Sequence, residues 1–372
     1  MKIMILHASA GEGHRRAAVA IEEALLHSGV SAKDLVVADA LDYATPFFKN
    51  SYTGFYYWCV KNIPKMWGVF YALLDNHAVY NFFYPIRRVY NAIHGGKLLK
   101  SVKAFKPDLI ICTHFYSAEI LGHARKHKKL DSKVIVLVTD FHPVRVWAHD
   151  GVDAYWVLSE EAKSTLVQRG TSKEKITAGG FPIIAEFKKQ QNQESVLAKY
   201  QLDKNRLTVL LTTGSFGLGE QERLLDLLAT EKDALQCLVI CGRNETLRAA
   251  LEQKKYSFPV RVFGFVNFMP ELMDAADIMV AKPGGATTAE AMAKELPMIA
   301  TGAIPGQETE NLKFLLKENA VFSADTPEQI ISIIREIIKN KNLLTEKCRA
   351  ANRICNPRAA DDVAQMRFQW IK

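Results

Sequence analysis

His14 lies in the run Ser9-Ala10-Gly11-Glu12-Gly13-His14-Arg15-Arg16-Ala17, directly after the apolar stretch Ile3–Leu6. Glycines such as Gly13 let the backbone turn tightly and approach a ligand, and a helix starting near His14 offers free N–H groups. An imidazole at that point suits a general base, a role worth about 10²–10⁴ in rate; a first-turn capping role would use the same residue. The G-x-G-x-x-G of dinucleotide binding is not completed, because Arg16 stands where the third glycine belongs, although Asp39 closes the second strand as that motif requires.

A second constellation is Asp277-Ile278-Met279-Val280-Ala281-Lys282-Pro283-Gly284-Gly285-Ala286-Thr287-Thr288-Ala289-Glu290. Here a strand runs through Gly284-Gly285 into a helix whose first turns carry Thr287, Thr288 and Glu290. Backbone N–H groups and the helix dipole suit a diphosphate. Glu290 would repel phosphate but can accept two hydrogen bonds from a ribose diol; favourable charge in the first turn of a helix is the plainer account. Gln307, Glu308 and Asn311, in Gly302–Asn311, are spaced to meet sugar hydroxyls, and ordinary capping explains them equally well. Thr212-Thr213-Gly214-Ser215-Phe216-Gly217 is a candidate phosphate-side turn. In Gly264-Phe265-Val266 a backbone edge can pair with a flat base. No D-x-D, G-x-x-x-x-G-K-[ST], H-E-x-x-H or G-x-S-x-G occurs, so a metal–diphosphate clamp and several hydrolytic chemistries are excluded.

The elements expected to carry these residues alternate. Apolar runs at Ile3–Leu6, Leu35–Ala38, Leu109–Cys112, Val134–Val138 and Ala154–Leu158 are separated by helical sequence, as in a parallel sheet covered on both faces. A polar stretch at 184–206 suggests a linker. A second series follows at Leu207–Thr212, Leu235–Ile240, Val260–Val262, Ile278–Ala281, Met298–Thr301 and Val321–Phe322, with an isoleucine-striped helix over 327–339. The α/β pattern predicts two Rossmann-like, doubly wound parallel-sheet domains, 1–183 and 207–355, facing a cleft. A terminal helix is expected at 356–372, crossing back to the first domain. The 372 residues suit two domains, and 48% hydrophobic with 24% charged residues excludes a disordered chain. The longest stretch without a charged residue is 13 residues, against about 20 for a membrane span. The apolar amino terminus is too short for a signal peptide. The six cysteines form no C-x-x-C pair and suit reduced thiols in the cytosol.

The net charge of +8 is local. Residues 43–106 hold nine basic side chains, Arg87 and Arg88 among them, against the single acid Asp75, and 17 of the chain's 36 aromatics, including Trp58 and Trp67. Aromatics favour a bilayer interface and basic groups favour anionic headgroups. An aromatic core with a basic rim has the same composition. No motif that reads nucleic acid accompanies the segment.

In this order the motifs resemble glycosyltransferase family 28, and within it the diacylglycerol glycosyltransferases, over nearly the whole chain. The resemblance is carried by Gly11-Glu12-Gly13-His14, Val138-Thr139-Asp140-Phe141-His142-Pro143 with Trp147-Ala148-His149, Gly179-Gly180-Phe181-Pro182-Ile183, Gly264-Phe265-Val266, and Pro283-Gly284-Gly285…Glu290 with Gln307…Asn311. It implies the two-domain GT-B fold, a UDP-sugar donor and transfer with inversion, without cofactor or D-x-D-bound metal. By position, His14 becomes the catalytic base and Glu290 the ribose ligand. Phe265-Val266 lies at uracil, Gln307, Glu308 and Asn311 lie near the donor sugar, and Gly13, Gly214, Ser215, Gly284, Gly285, Thr287 and Thr288 lie along the donor. Asp140, Trp147 and His149 fall on the acceptor side, with Trp58, Trp67, Arg87 and Arg88 on the membrane face. Glu12 departs from the glycine or asparagine of many relatives.

The expectation is therefore a peripheral enzyme on the cytoplasmic face of the cell membrane, with anionic lipids as partners and no nucleic acid. It moves glucose or galactose from UDP-hexose to the free hydroxyl of diacylglycerol. A different lipid-linked acceptor, as in peptidoglycan-type N-acetylglucosaminyl transfer, a UDP-sugar epimerase and an idle UDP-sugar sensor stay open as alternatives.

Overall fold

Runs of four to six apolar residues with no polar alternation can only be buried on both faces, and they form two all-parallel sheets. The computed structural model describes residues 1–212 and 220–371. The first sheet contains β1 (Ile3–His7), β2 (Leu35–Asp39), β3 (Leu109–Cys112), β4 (Lys133–Leu137), β5 (Ala154–Val157) and β6 (Ile176–Ala178) in the order β2-β1-β3-β4-β5-β6. The second contains β7 (Leu207–Thr212), β8 (Leu235–Ile240), β9 (Val260–Phe263), β10 (Ile278–Ala281), β11 (Met298–Ala300) and β12 (Phe322–Ser323) in the order β12-β11-β10-β7-β8-β9. β6 was not expected. It is a three-residue edge strand, Ile-Thr-Ala, without the apolar run that marks the inner strands.

The chain divides into two compact units. One comprises Met1–Ala185, Ile304–Asn311 and Asn356–Lys372, the other Glu186–Ala303 and Leu312–Cys355. In the first, Met4, Leu6, Ile110, Val134, Val136, Tyr116 and Trp147 share one core. The C-terminal helix Ala359–Ile371 packs on α1 (Glu12–His27), where Arg367 donates to the Ser28 carbonyl. Residues 304–311, expected within the second domain, group with the first unit because polar side chains tie them there. Asn311 Oδ1 accepts from the Phe141 N–H at 3.2 Å, and the Gln307 amide donates to Asp140. In the second unit Val209, Leu211, Val239, Ile278 and Val280 pack against Ile330, Ile334 and Ile337 of the helix Pro327–Lys339. A capping box of Thr326 and Gln329 starts that helix. The stretch 184–206, expected as a linker, contains the helix Gln193–Lys199, which packs on Met269–Ala275.

Between β2 and β3 lie four helices, α2 (Pro46–Asn62), α3 (Pro64–Asp75), α4 (His77–His94) and α5 (Gly96–Phe105). Thr45 caps α2 and Asn76 caps α4, while Pro46 and Pro64 occupy first-turn positions where no N–H is needed. Further on, α6 (Phe115–Lys126) follows β3.

The Gly179-Gly180 turn shows how tightly the first unit is packed. A Cβ on Gly179 would stand 2.1 Å from the Trp156 ring, whose Nε1 donates to the Gly180 carbonyl at 2.7 Å. Gly179→Ala should therefore cost about 3 kcal/mol of stability by overpacking, read from the denaturant midpoint. An unchanged midpoint would show that Trp156 moves freely.

Candidate active site

β1 and β3 are neighbours, with Leu6 opposite Cys112, so the segments leaving their carboxyl ends meet. That edge is where parallel sheets bind ligands. Gly11 takes φ +146° as the N-cap of α1, a value that excludes most side chains, and the next turn brings His14 over the end of β3. His14 Nδ1 lies 2.7 Å from the Thr113 carbonyl oxygen and 3.0 Å from Thr139 Oγ1 just beyond β4. A carbonyl only accepts, so Nδ1 carries the proton and Nε2 keeps a lone pair. The Thr113 hydroxyl donates back to the His14 carbonyl at 2.9 Å, locking the turn. Burial, opposed by the Thr113 carbonyl, lowers the His14 pKa to about 4. The imidazole is neutral at physiological pH and able to take a proton.

A second imidazole stands beside it. His114, the N-cap of α6, meets the His14 ring edge-on with centroids 4.6 Å apart. Phe115 and Trp147 flank it, and Trp147 is also 6.2 Å from His14. Trp147 is fully buried and donates from Nε1 to Asp140 Oδ2 at 3.0 Å. The Gln307 amide reaches the other oxygen of the same carboxylate. Glu308 accepts from the Ile304 N–H at 2.7 Å. His14, Asp140, Trp147, Gln307 and Asn311 thus form one neighbourhood in the first unit. Gly13 lies in the first turn of α1, and Glu12 faces Arg15 Nε at 3.3 Å, which supplies a partner for the unusual carboxylate.

In the second unit the helix Gly285–Ala293 starts at Gly284 as expected, with Thr288 and Glu290 buried and Thr287 half-buried. Among the described residues, Thr288 Oγ1 is buried without a hydrogen-bond partner. A cavity of about 220 Å³ opens at the carboxyl ends of β7, β10 and β11, lined by Thr212, Gln221, Lys282, Thr301 and Gly302. Phe265 is 58% exposed with the Arg243 guanidinium 5.4 Å above its ring, and Val266 is half-buried beside it. Gly214 and Ser215 lie outside the described residues.

Two family models divide the chain. One for monogalactosyldiacylglycerol (MGDG) synthase matches residues 14–183, and the glycosyltransferase family 28 C-terminal domain matches 208–363. A processive diacylglycerol beta-glucosyltransferase of Bacillus cereus (strain AH187) is 30% identical over 97% of this chain and 92% of its own. One of the same name from Bacillus thuringiensis (strain Al Hakam) is 29% identical over the same shares. The chain belongs to the diacylglycerol glycosyltransferases of family 28. Among solved structures, MurG of Acinetobacter baumannii (TM-score 0.62, 17% identity, 99% of each chain) shares the GT-B fold of this glycosyltransferase. UDP-GlcNAc 2-epimerase of Neisseria meningitidis (TM-score 0.62, 12% identity, 99% of this chain and 100% of that one) shares it too.

Other expected site residues of the glycosyltransferase separate from this neighbourhood. Trp58 is exposed, whereas Trp67 is half-buried against Tyr56 and Phe70. Arg87 and Arg88, expected on the membrane face, are committed inward. Arg87 pairs with buried Glu119 at 3.1 Å and bonds Tyr80, and Arg88 donates to His123 at 2.8 Å. His149 is half-buried, desolvation lowers its pKa to about 3, and it lines a different cavity of about 390 Å³ with Tyr155, Arg169 and Lys175. Sequence reasoning missed Thr113, His114 and Thr139 as site residues. The available signal was a Thr-His pair directly after an apolar strand, at the ligand edge of a parallel sheet.

Burial, only partly offset by Gln307 and Trp147, raises the Asp140 pKa from 3.8 to about 6. Between those values the folded state binds a proton that the unfolded chain has lost, so this group lowers stability as pH rises from about 4 to 6. Asp140→Asn removes the effect. Relative to wild type, the variant should gain about 3 kcal/mol between pH 4 and pH 7, measured by denaturant unfolding at each pH. A pH-independent difference would place Asp140 in a wetter site.

Proposed function

We propose that this transferase moves a hexose, glucose in keeping with its relatives' names and galactose as competitor, from a UDP-sugar to the free hydroxyl of 1,2-diacylglycerol, with inversion. The observation that carries the lipid acceptor is an inverted helix face on the unit that holds His14. Along α4, Phe82, Ile86, Val89 and Ile93 recur at helical spacing and are 60–71% exposed. Phe47, Phe55 and Trp58 of α2, and Met66, Val69, Phe70 and Leu73 of α3, add further exposed apolar side chains. Water-facing apolar surface of this extent marks an interaction site. The exposed cations of the segment are Lys61, Lys65, Lys97, Lys100, Lys103 and Lys106. No helix among the described residues is long and apolar enough to cross a membrane, so the reading is peripheral attachment to anionic lipid at the cytoplasmic face of the cell membrane.

In this reading Nε2 of His14 takes the proton of the acceptor hydroxyl as its oxygen attacks the anomeric carbon from the face opposite UDP. The first turn of Gly285–Ala293 meets the departing diphosphate through its N–H groups, Glu290 holds the ribose, and the edge at Phe265-Val266 meets uracil. Helix ends rather than a bound metal carry the charge of UDP.

The test is to incubate the enzyme with UDP-glucose or UDP-galactose and diacylglycerol vesicles of varied anionic content. A hexosyl-diacylglycerol product is expected, with vesicle binding that weakens as salt rises. Changing Lys61, Lys65, Lys97 and Lys100 to Gln should weaken binding by up to about 4 kcal/mol at about 1 per cation. Phe82→Ser with Ile86→Ser should remove a part that salt does not screen, and both variants should keep their UDP affinity. A wild-type protein that stays off anionic vesicles at low salt, or that forms no glycolipid, would contradict the reading.

A further inference from the structure

The chemistry just described uses one histidine, yet the site contains two, and their hydrogen bonds put them in opposite tautomers. His14 gives its Nδ1 proton to the Thr113 carbonyl. His114 Nδ1 instead accepts from the Tyr116 N–H at 3.1 Å, so in the neutral ring its proton is on Nε2. Among the described residues neither Nε2 has a protein partner. The rings stand edge to face at 83°.

We propose that His114 is a second catalytic residue, donating from Nε2–H to the acceptor oxygen while His14 accepts that oxygen's proton. A hydroxyl both gives and receives a hydrogen bond, and the two imidazoles offer it one of each. The inference rests on the proposed transferase reading. In the step, the acceptor O–H proton passes to His14 Nε2, the oxygen's electron pair forms the bond to the anomeric carbon, and the bond from that carbon to the diphosphate oxygen breaks, its electrons leaving on UDP. Negative charge develops on the attacking oxygen meanwhile, and a fixed N–H donor inside a site walled by Tyr52, Phe115 and Trp147 stabilises it without reorganising. Burial above all lowers the His114 pKa well below its ordinary value. His114 therefore stays a neutral donor and does not compete for the proton.

Capping alone would also place a histidine at the start of α6, so the test separates cap from donor. Asparagine caps a helix and retains an N–H donor, while serine caps equally well but is too short to reach the oxygen. On diacylglycerol vesicles with UDP-hexose, His114→Ser should lower kcat by about 10²-fold, the order seen on removing one such donor. His114→Asn should stay within about 10-fold of wild type, and both should bind UDP normally. Equal kcat in the two variants, whether both near wild type or both impaired, would overturn the donor role. His14→Ala is measured alongside. If it retains turnover, the transferase reading of the site fails with the proposal; if it is dead while His114→Ser is active, only the proposal fails.

Discussion

A buried imidazole has one proton to give and one lone pair to keep, and the carbonyl of Thr113 decides which nitrogen does which at His14. The candidate active site hangs on that contact. It requires β1 and β3 to be adjacent and parallel, so that a helix leaving one strand starts over the end of the other. It also requires Gly11 at positive φ to turn the chain there. Thr139 completes the ring from β4, and the residues that follow it, Asp140 and Phe141, receive Gln307 and hold Asn311. A sheet order fixed by apolar runs thereby places polar groups from distant parts of the sequence around one side chain. Among the described residues the groups bonded to His14 Nδ1 are the neutral Thr113 carbonyl and Thr139 hydroxyl, so in the proposed step the charge it gains is met there by dipoles.

The helical segment solves a second problem, holding apolar surface outward without letting it collapse. Its single acid is the anchor. Asp75, at the end of α3, accepts from the Arg145 N–H and from Arg169 Nε, each at 3.0 Å, and its backbone carbonyl accepts from Arg145 Nε at 2.8 Å. Burial pushes the Asp75 pKa up, but bonds from His142 and Arg169 hold it well below the ordinary range. The other side of α3 is interlocked. A Cβ on Gly68 would meet Pro305 at 2.7 Å, and Gly306, at φ +97°, lies under the Tyr71 ring. The helix therefore touches the turn that leads into Gln307 and Glu308, the start of the helix Gln307–Lys317, while Met66, Val69, Phe70 and Leu73 face outward.

The fold was legible because inner strands of a parallel sheet cannot hide their apolar runs; the three-residue edge strand β6 has none and was missed. His14 was legible from the two glycines that precede it, and Gly284-Gly285 from its strand and helix. What escaped was pairing across the chain. Nothing local in Arg87 tells of Glu119 on α6, so a basic residue among aromatics suggested lipid when its partner was internal. Likewise 304–311 follows a strand of the second sheet in sequence, and the bonds of Asn311 and Gln307, with the packing of Pro305 and Gly306 on α3, reveal that it belongs with the first unit. His114 carried a positional signal without a motif, and its tautomer follows from a backbone N–H that sequence does not display.

The central claim is that His14 is neutral, with its proton on Nδ1 and a free lone pair on Nε2. Nitrogen-15 NMR of the histidine side chains, assigned by comparison with His14→Ala, reads this directly. The account predicts an Nδ1–H tautomer at pH 7 and a titration midpoint near 4. An Nε2–H tautomer, or a midpoint at the ordinary value of about 6.5, would contradict it.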